Sequence, residues 1–596
     1  MAELMKRKDQ REEDTWRLED LFETDELWEK ELSAVESALP VLTGFAGRLG
    51  NSAGELKEAL DYFYGLYTRL DRLVVYASQR SDEDTGNGFY QDMKMRVQSL
   101  AVRAQEAAAF LVPEILGLEE MQVQQWLRED RGLALYGRAL QDMMRKKSHV
   151  LSREQEELLS SAREVGQSSN IFNVMNNADL KFPSVKDENG EEIPVTHGSY
   201  VRLLESRDRS VRKAAFESVY GTYGQFGNTL AATFAANVKE AAFFAKARRY
   251  SSARAYFLDD ANVPEQVYDS LISSVHQNLP ALHDYVALRK KLLGTDELHM
   301  YDVYVPVVDV PDKKYSFEEA KQVVFDGLEP LGDEYRSILK EGYENRWIDI
   351  YENEGKRSGA YSWGAYGTHP YVLLNYQENL NDVFTLAHEM GHAIHSYYSG
   401  GNQPAVYAEY KIFVAEVAST CNEALLIRYL LKKSGDAEER KYLLNHFLEK
   451  FRGTLFRQTQ FAEFELKAHE KEAKGETLTF EALCSLYLDI NQKYFGPSME
   501  EDQEIGREWA RIPHFYTPFY VYQYATGFSA AIALSDKILE EGQTAVEKYK
   551  EFLKGGCSKD PIDLLKTAGV DLSTPEPVDR ALKVFRELLE EFKSLI

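Results

Sequence analysis

Two histidines and a glutamate stand close together between residues 384 and 396, in the sequence F-T-L-A-H-E-M-G-H-A-I-H-S. On a helix, His388 and His392 lie four residues apart, so both imidazoles project from one face, one turn above the other. Two nitrogens placed in this way can reach one metal ion at about 2.0–2.1 Å. Glu389 directly follows the first histidine, where its carboxylate can act on a water without binding the ion. The spacing therefore predicts a metal-binding helix with a general base beside it.

These positions form the H-E-x-x-H pattern of zinc peptidases. A catalytic zinc site needs three protein ligands and an open position, so a third ligand must come from elsewhere. His395 is a poor candidate, because residues 388 and 395 would lie roughly 10.5 Å apart along a helix axis. The longer pattern with a third histidine also fails, since His395 occupies its glycine position and Tyr398 its last histidine position. The third ligand should be a carboxylate on the next helix.

Glu416 is the candidate for that carboxylate. It lies in F-V-A-E-V-A-S-T-C-N-E, 24 residues beyond His392, on a helix predicted from Ala408 to Lys433. Its apolar neighbours argue against a solvent-facing position, although an ordinary solvated glutamate is the alternative. Glu423 lies two turns further along the same face, where its carboxylate could orient a ligand histidine.

Composition excludes several functional classes. The chain of 596 residues is 44% hydrophobic and 12% aromatic, which is typical of a globular protein and not of a disordered one. The net charge of −27 argues against nucleic acid and anionic membranes as partners, because both favour basic protein surfaces. Three widely spaced cysteines, no apolar leader and no window of twenty apolar residues predict a cytoplasmic protein without disulfides or membrane spans.

Helical periodicity dominates the chain, with apolar residues at three- and four-residue steps before residue 180 and again after residue 200. Between them, Asn189-Gly190 is a strong turn signal and predicts a small hairpin. We place a domain boundary there, between an N-terminal helical region, residues 1–197, and a catalytic metallopeptidase region, residues 198–596.

An extended segment precedes the histidine pair. Tyr371–Tyr376 is rich in apolar and aromatic residues and is predicted to be a buried or edge strand. A strand beside a metal-binding helix can pair with an extended peptide through backbone hydrogen bonds. The alternative is that this strand is only structural.

Several stretches resemble one known family. H-E-M-G-H-A-I-H followed by F-V-A-E-V-A-S is similar to the thimet-oligopeptidase-like zinc metallopeptidases. T-W-R-L-E-D-L-F, K-R-S-G-A-Y-S-W-G, T-L-F-R-Q-T-Q-F-A-E-F-E and H-F-Y-T-P-F-Y-V-Y-Q-Y-A-T-G are similar to their oligoendopeptidase F branch, and the resemblance covers nearly the whole chain. It implies a mostly α-helical, two-lobed fold with a deep substrate channel and a small β-sheet next to the zinc-binding helix. It also implies one zinc ion as cofactor and unstructured oligopeptides, cut internally, as substrates.

The resemblance further implies roles for single residues. The zinc ligands match His388, His392 and Glu416, and the general base matches Glu389. His514 matches a substrate-binding histidine that is followed by a tyrosine whose hydroxyl stabilises the oxyanion. The register of that tyrosine is ambiguous, because the loop after the histidine is shortened here. The first choice is Tyr522, and the alternatives are Tyr516, Tyr520 and Tyr524.

Two other functions are compatible with these residues. A carboxypeptidase or dipeptidyl carboxypeptidase of similar fold would use the same metal site and needs a cation for the terminal carboxylate of its substrate. Its candidates are Arg357, Arg457 and Arg511. A non-catalytic peptide-binding helical protein would be expected to have a broken ligand set, and no ligand is missing here. The sequence predicts neither the cleavage preference nor the oligomeric state.

Overall fold

The computed structural model describes residues 4–309 and 313–596, so that the first three residues of the predicted N-terminal region and residues 310–312 of the catalytic region lie outside it. The fold is mostly α-helical with two small sheets, which confirms the predicted fold class. The helices are α1 Asp25–Thr43, α2 Ala53–Glu83, α3 Gly88–Ala108, α4 Leu111–Gly117, α5 Glu120–Glu129, α6 Gly137–Arg145, α7 Arg153–Val165, α8 Ser168–Val174, α9 His197–Leu204, α10 Arg209–Gln225, α11 Gly227–Ala247, α12 Ala253–Leu258, α13 Glu265–Leu293, α14 Phe317–Gly327, α15 Gly332–Glu344, α16 Leu380–Asn402, α17 Ile412–Lys433, α18 Ala437–Lys450, α19 Arg457–Ala473, α20 Phe480–Phe495, α21 Tyr522–Glu541, α22 Gln543–Leu553, α23 Pro561–Thr567 and α24 Glu576–Ser594. The strands are β1 Val185–Lys186, β2 Glu192–Ile193, β3 Ile348–Asp349, β4 Tyr361–Trp363 and β5 Tyr371–Leu373.

Many of these helices begin where a side chain satisfies a free backbone N–H group. Ser52 caps α2 by accepting from the backbone of Glu55, and Ser316 forms a reciprocal capping box with Glu319 at the start of α14. Such caps each stabilise a helix by about 1 kcal/mol. Within the described residues, no helix combines the length and the apolarity that crossing a membrane requires.

The predicted hairpin is confirmed. β1 and β2 pair in antiparallel register, with Val185 opposite Ile193. The turn between them places Gly190 at φ +82°, a left-handed conformation that glycine adopts without steric cost. The Asn-Gly signal therefore located a real turn.

The second sheet has three strands in the order β3-β5-β4. β5 is parallel to β3 and antiparallel to β4, and Tyr371, Val372 and Leu373 are all buried. The sheet packs against α16, as the small sheet of the predicted fold class should. The strand expected at Tyr371–Tyr376 is thus the shorter, central β5, and the outer positions belong to β3 and β4.

The chain forms two compact units, each assembled from three segments. The first contains residues 4–148, 313–429 and 534–569, and the second contains residues 149–309, 430–533 and 570–596. The first unit has an apolar core around Trp16, Trp28 and Tyr76. The second has an aromatic core in which Phe234, Phe464 and Phe515 contact one another. These units are defined by packing alone and do not test the predicted functional division of the chain. The boundary between residues 1–197 and 198–596 therefore stays a prediction.

Candidate metal centre

Helix α16 carries both histidines of the motif. It begins after Asn379, whose side chain accepts a hydrogen bond from the backbone of Asp382 at 3.1 Å, while the Asp382 carboxylate accepts from the backbone N–H of Asn379 at 3.3 Å. This capping box fixes where the helix starts and therefore which residues share a face. His388 and His392 lie on one half-buried face, with ring centroids 4.9 Å apart.

A glycine inside the motif lets the next helix come close. A Cβ at Gly391 would lie 2.6 Å from the Cα of Ser419, which is closer than real Cβ contacts allow. The approach is reinforced by Asn422 of α17, whose side-chain amide donates to the carbonyl oxygen of Ala387 at 3.0 Å. Because α16 and α17 touch at Gly391, an acidic residue three positions before Ser419 reaches the histidines.

That acidic residue is Glu416, the predicted third ligand. Its Oε2 lies 3.3 Å from Nε2 of His388 and 3.5 Å from Nε2 of His392. Among the described residues, these three side chains form the one cluster of His, Cys, Asp or Glu that could hold a metal ion. Two ligands of a tetrahedral zinc, each about 2.0–2.1 Å from the ion, are about 3.3–3.4 Å apart. The donor atoms therefore fit a zinc ion.

Further hydrogen bonds orient this donor set. Nδ1 of His388 lies 2.6 Å from Oε1 of Glu423, so its ring N–H can donate to that carboxylate and leave Nε2 free to bind a metal. The hydroxyl of Ser419 donates to the Oε2 atom of Glu416 at 3.1 Å. The sequence indicated Glu423 as an orienting residue but not Ser419, although its position three residues after Glu416 on a helix is a usable signal.

The charges show that this site suits a cation. Burial disfavours the imidazolium form of His388, but the carboxylates of Glu416 and Glu423 outweigh it and raise its pKa to about 10. Burial also disfavours the Glu416 carboxylate, yet the two histidines lower the pKa of Glu416 well below its usual value. His388 and Glu416 each favour an opposite charge beside them, and without a metal a proton on His388 meets that need.

Glu389 differs from these carboxylates. The residue is buried, with 7% of its surface exposed, and its side-chain carboxylate makes no hydrogen bond within the described part of the chain. Burial raises the pKa of Glu389, although His388 and His392 lower it in part. A carboxylate with a raised pKa and free acceptor positions is suited to taking up a proton.

The remaining histidine of the motif is not part of the donor set. His395 is fully buried, and its ring stacks on Tyr410 with centroids 3.8 Å apart. Burial lowers the pKa of His395 to about 3, so it is a neutral packing residue.

A second group of predicted site residues lies in the second unit. His514 is exposed, and its ring lies 6.0 Å from that of Tyr520 and 5.7 Å from that of Tyr524, measured between centroids. The hydroxyl of Tyr524 lies 3.3 Å from Nε2 of His514. Two polar hydroxyl groups thus accompany the histidine.

Tyr522, the first choice for the oxyanion residue, does not join this group. Only 2% of its surface is exposed, and its ring packs against Tyr268 with centroids 5.0 Å apart. Tyr516 is also buried and stacks on Phe172 at 4.3 Å. Both therefore lie in the core, whereas Tyr520 and Tyr524 are half-buried. Which tyrosines face the histidine depends on the turn at Phe519, where φ is +56°, and no sequence pattern indicates that turn.

The arginines suggested for a terminal carboxylate already have partners. Arg357 pairs with Asp82 at 3.1 Å, and the buried carboxylate of Glu508 pairs with Arg457 at 2.6 Å and with Arg511 at 3.0 Å. Arg357 thus has a carboxylate partner of its own, whereas Arg457 and Arg511 share one carboxylate between them.

Comparison with known proteins agrees with this geometry. Peptidase family M3 matches residues 202–584, and Oligopeptidase F matches residues 114–182. Oligopeptidase PepF of Bacillus subtilis is 53% identical over 595 residues, which cover 100% of this chain and 89% of that protein.

Solved structures show the same fold. A crystal structure from Chlamydophila abortus is 34% identical and covers 100% of both chains with a TM-score of 0.94. Oligoendopeptidase-F from Enterococcus faecium is 40% identical with a TM-score of 0.75, covering 96% of this chain and 99% of that one. These matches show that the chain belongs to peptidase family M3, in its oligoendopeptidase F branch, and is a metallopeptidase.

Proposed function

We propose that this chain is a zinc-dependent endopeptidase that hydrolyses internal peptide bonds of unstructured oligopeptides. The observation that carries the proposal is the convergence of His388, His392 and Glu416 on one point, with Glu389 buried beside them. Two imidazole nitrogens and one carboxylate oxygen form a donor set that catalytic zinc sites use. The names of the relatives, oligopeptidase and oligoendopeptidase, support short peptides as substrates.

Zinc in this site would polarise the scissile carbonyl and lower the pKa of a bound water. Glu389 accepts the proton of the attacking water, and its raised pKa makes it a better base near neutral pH than an exposed glutamate. The same carboxyl group then passes the proton to the departing amine. Glu423 keeps His388 in the tautomer whose Nε2 carries no proton, and Ser419 fixes the orientation of Glu416.

The developing oxyanion needs hydrogen-bond donors. We assign this role to Tyr524 or Tyr520, with His514 beside them, instead of Tyr522. The reason is that Tyr522 is buried against Tyr268, whereas His514 has the other two tyrosines as neighbours. One such donor typically contributes about 3–4 kcal/mol to transition-state stabilisation.

The backbone of an extended peptide requires a strand with a free edge. β5 is central and pairs on both sides, so it cannot serve. Among the described residues, β3 and β4 are the outer strands and each pairs with β5 alone, but β4 is the outer strand that packs against α16, the helix that carries His388 and His392. We propose that the substrate adds to β4, which restricts substrates to chains that can become extended.

An endopeptidase fits better than a carboxypeptidase. A carboxypeptidase must leave a cation free for the terminal carboxylate near the metal. Arg357, the suggested arginine in the same unit as the metal centre, is bound by Asp82 through a side-chain pair and by a backbone bond to the same residue. No second observation favours a non-catalytic binding protein, because the ligand set is complete.

The test is the Glu389→Gln variant with a quenched fluorescent peptide blocked at both ends. We expect the variant to retain zinc and to lose at least about 1,000-fold in kcat, because the amide cannot accept the proton of the water. Zinc content by atomic emission and the rate of cleavage are the two measurements.

Glu438→Gln is the matched control, since Glu438 is exposed on α18 in the second unit and its change should leave both measurements as in the original chain. Undiminished turnover of Glu389→Gln would remove Glu389 as the base. Cleavage of unblocked peptides alone, one or two residues from the C-terminus, would favour the carboxypeptidase.

A further inference from the structure

Four arginines in the second unit share only two carboxylates. Glu449 pairs with Arg452 at 2.7 Å and with Arg289 at 3.1 Å. Glu508 pairs in the same way with Arg457 and Arg511. Each group has one positive charge more than it has negative charges, so the two groups together have an excess of two. This excess is notable in a chain whose net charge is −27.

Tyr304 lies between the two groups. The guanidinium carbon of Arg452 is 5.0 Å from the centroid of its ring, and Arg457 and Arg511 act electrostatically on its hydroxyl. Tyr304 is half-buried, and its hydroxyl makes no hydrogen bond to any residue from 4 to 309 or 313 to 596. An O–H group without a hydrogen-bond partner among the described residues therefore lies beside Arg452 and within the electrostatic range of Arg457 and Arg511.

The electrostatic potential at this hydroxyl is positive. Burial disfavours the phenolate and so does the carboxylate of Glu508, but Arg457 and Arg452, together with Arg511, outweigh both and lower the pKa of Tyr304 below its usual value. Buried tyrosines elsewhere in this unit, such as Tyr223, have a raised pKa. The net effect of the charges around the Tyr304 hydroxyl therefore favours a negative charge, even with Glu508 included.

The backbone that carries these arginines is irregular. Arg452 lies on a π-helical segment, Phe451–Phe456, which separates α18 from α19. Arg511 ends a 3₁₀-helix of nine residues, Gln503–Arg511, whereas such runs rarely exceed four residues. π-helical segments are frequent at functional sites, because they redirect side chains that a regular helix would space evenly.

This cluster is connected to the loop that carries His514. The guanidinium carbon of Arg457 lies 4.7 Å from the ring centroid of Phe461, which contacts Phe515 at 5.6 Å. Arg511 and His514 are three residues apart in the chain. A ligand held by the arginines would therefore lie on the same body of structure as the proposed substrate-binding histidine.

We propose that Tyr304, Arg452, Arg457 and Arg511 form an anion subsite that binds a carboxylate of the peptide substrate. The inference rests on the proposed endopeptidase function, because a peptide is the anion that this enzyme meets in every turnover. Arginine is suited to a carboxylate, and the Tyr304 hydroxyl adds one donor. The carboxylate is the free C-terminus of the peptide or an aspartate or glutamate side chain near that end. Binding there would favour acid-ended peptides without any part in the chemical step.

The test compares four quenched peptides of one sequence that lacks other acidic residues. One ends in a free carboxylate and one in a carboxamide. The other two end in a carboxamide and have glutamate or glutamine as their last residue. With the unmodified enzyme, we expect KM for a carboxylate-bearing peptide to be about tenfold below that of its neutral partner, with kcat changed less than twofold.

Two variants connect that preference to the subsite. Tyr304→Phe removes the free hydroxyl, and Arg452→Gln removes one positive charge while Arg289 still pairs with Glu449. Both should reduce the KM difference to less than threefold. Arg440→Gln is the control, since Arg440 pairs with Glu591 elsewhere in the same unit and should preserve the preference. Thermal unfolding of each variant shows whether it folds.

The outcomes separate the possibilities. A preference for the free C-terminus identifies that carboxylate as the ligand, and a preference for glutamate over glutamine identifies a side chain. Equal KM values for all four peptides, or a preference that Tyr304→Phe and Arg452→Gln retain in full, would overturn the subsite. Failure of the unmodified enzyme to cleave any of the four would count against the proposed endopeptidase instead.

Discussion

At the scale of single residues, the carboxylates around the candidate metal centre differ in their hydrogen bonds. Glu423 lies against His388 and Glu416 accepts from Ser419, so both are held in one orientation. Glu389 has no such bond within the described residues, and it is more buried than Glu416. In the mechanism we propose, one residue type provides a ligand, an orienting group and a base, and the surroundings of each carboxylate distinguish these roles.

The choice among the tyrosines gives a prediction at this scale. Tyr524→Phe should lower kcat by about 100-fold or more with little change in KM, because an oxyanion donor acts mainly in the transition state. Tyr522→Phe is the matched variant, and its kcat should fall less than threefold, since Tyr522 packs against Tyr268. Steady-state kinetics on a blocked peptide measures both.

A reversed order, with Tyr522→Phe impaired and Tyr524→Phe active, would return the role to the residue first chosen from the sequence. If neither variant is impaired, Tyr520 is the next tyrosine to test, because its ring lies 5.5 Å from that of Tyr524.

At the scale of elements, the contact between α16 and α17 brings Glu416 to the two histidines of the candidate metal centre. Gly391→Ala should push the helices apart, because its Cβ would lie 2.6 Å from the Cα of Ser419. We expect zinc affinity to fall by at least tenfold and stability by about 1–3 kcal/mol, as for overpacked cores. Competition with a chelator and thermal unfolding are the measurements.

The same helix provides the control. Gly400 lies near the end of α16, and nothing lies within 4 Å of a Cβ built there. Gly400→Ala should leave zinc affinity unchanged and raise stability slightly, by about 0.5–1 kcal/mol, through lower flexibility of the unfolded chain. Equal zinc affinities of the two variants would show that close helix contact is not needed.

The loop before α21 is held by a carboxyl group of α19. Glu465 is fully buried and accepts a hydrogen bond from the backbone N–H of Phe519 at 2.8 Å. Phe519 has φ +56°, a conformation that costs a non-glycine residue of order 1 kcal/mol or more. The Glu465 bond therefore helps to stabilise the turn between His514 and Tyr520.

Burial gives this contact a pH dependence. It raises the pKa of Glu465 from its ordinary value of 4.5 to about 8, although the hydrogen bond from Phe519 lowers the pKa in part. Between these values the unfolded chain releases the proton while the folded chain retains it, so stability falls as pH rises and levels off above about pH 8. Glu465→Gln stays neutral and keeps an acceptor oxygen. It should therefore be more stable than the original chain by roughly 2–3 kcal/mol at pH 7 and equally stable near pH 4.

Thermal unfolding of the second unit across pH 4–9 measures this difference. The exposed Glu438→Gln should follow the original chain at every pH. A Glu465→Gln variant that loses stability uniformly would show that the glutamate is charged in the folded protein.

At the scale of the whole molecule, the metal should couple activity to stability. If zinc is the metal, as we propose, it finds no preformed site in the unfolded chain, so at 1,000 times its dissociation constant it should add about 4 kcal/mol to the stability of the folded chain. Removal with a chelator should lower the thermal midpoint, and added zinc should restore it.

Two variants separate binding from catalysis in that experiment. His388→Ala should show no zinc-dependent shift, whereas Glu389→Gln should show the full shift while remaining inactive. A zinc-dependent shift that survives in His388→Ala would place the ion elsewhere.

The sequence by itself determined the features that depend on neighbours along the chain. The four-residue step between His388 and His392 puts them on one helix face, because an α-helix has 3.6 residues per turn. The Asn189-Gly190 pair produced a hairpin for an equally local reason. Family resemblance extended this to the fold class and to Glu416, which the described structure brings to the histidines.

Only the tertiary structure decided the features that depend on contacts between distant segments. It placed Tyr524 beside His514 and buried Tyr522, made β4 an outer strand of its sheet, and gathered four arginines around two glutamates. The physical reason is that a local pattern fixes which face a residue occupies within its own element. Burial, partners and pKa depend on the elements packed against that face, and their positions follow from the whole core.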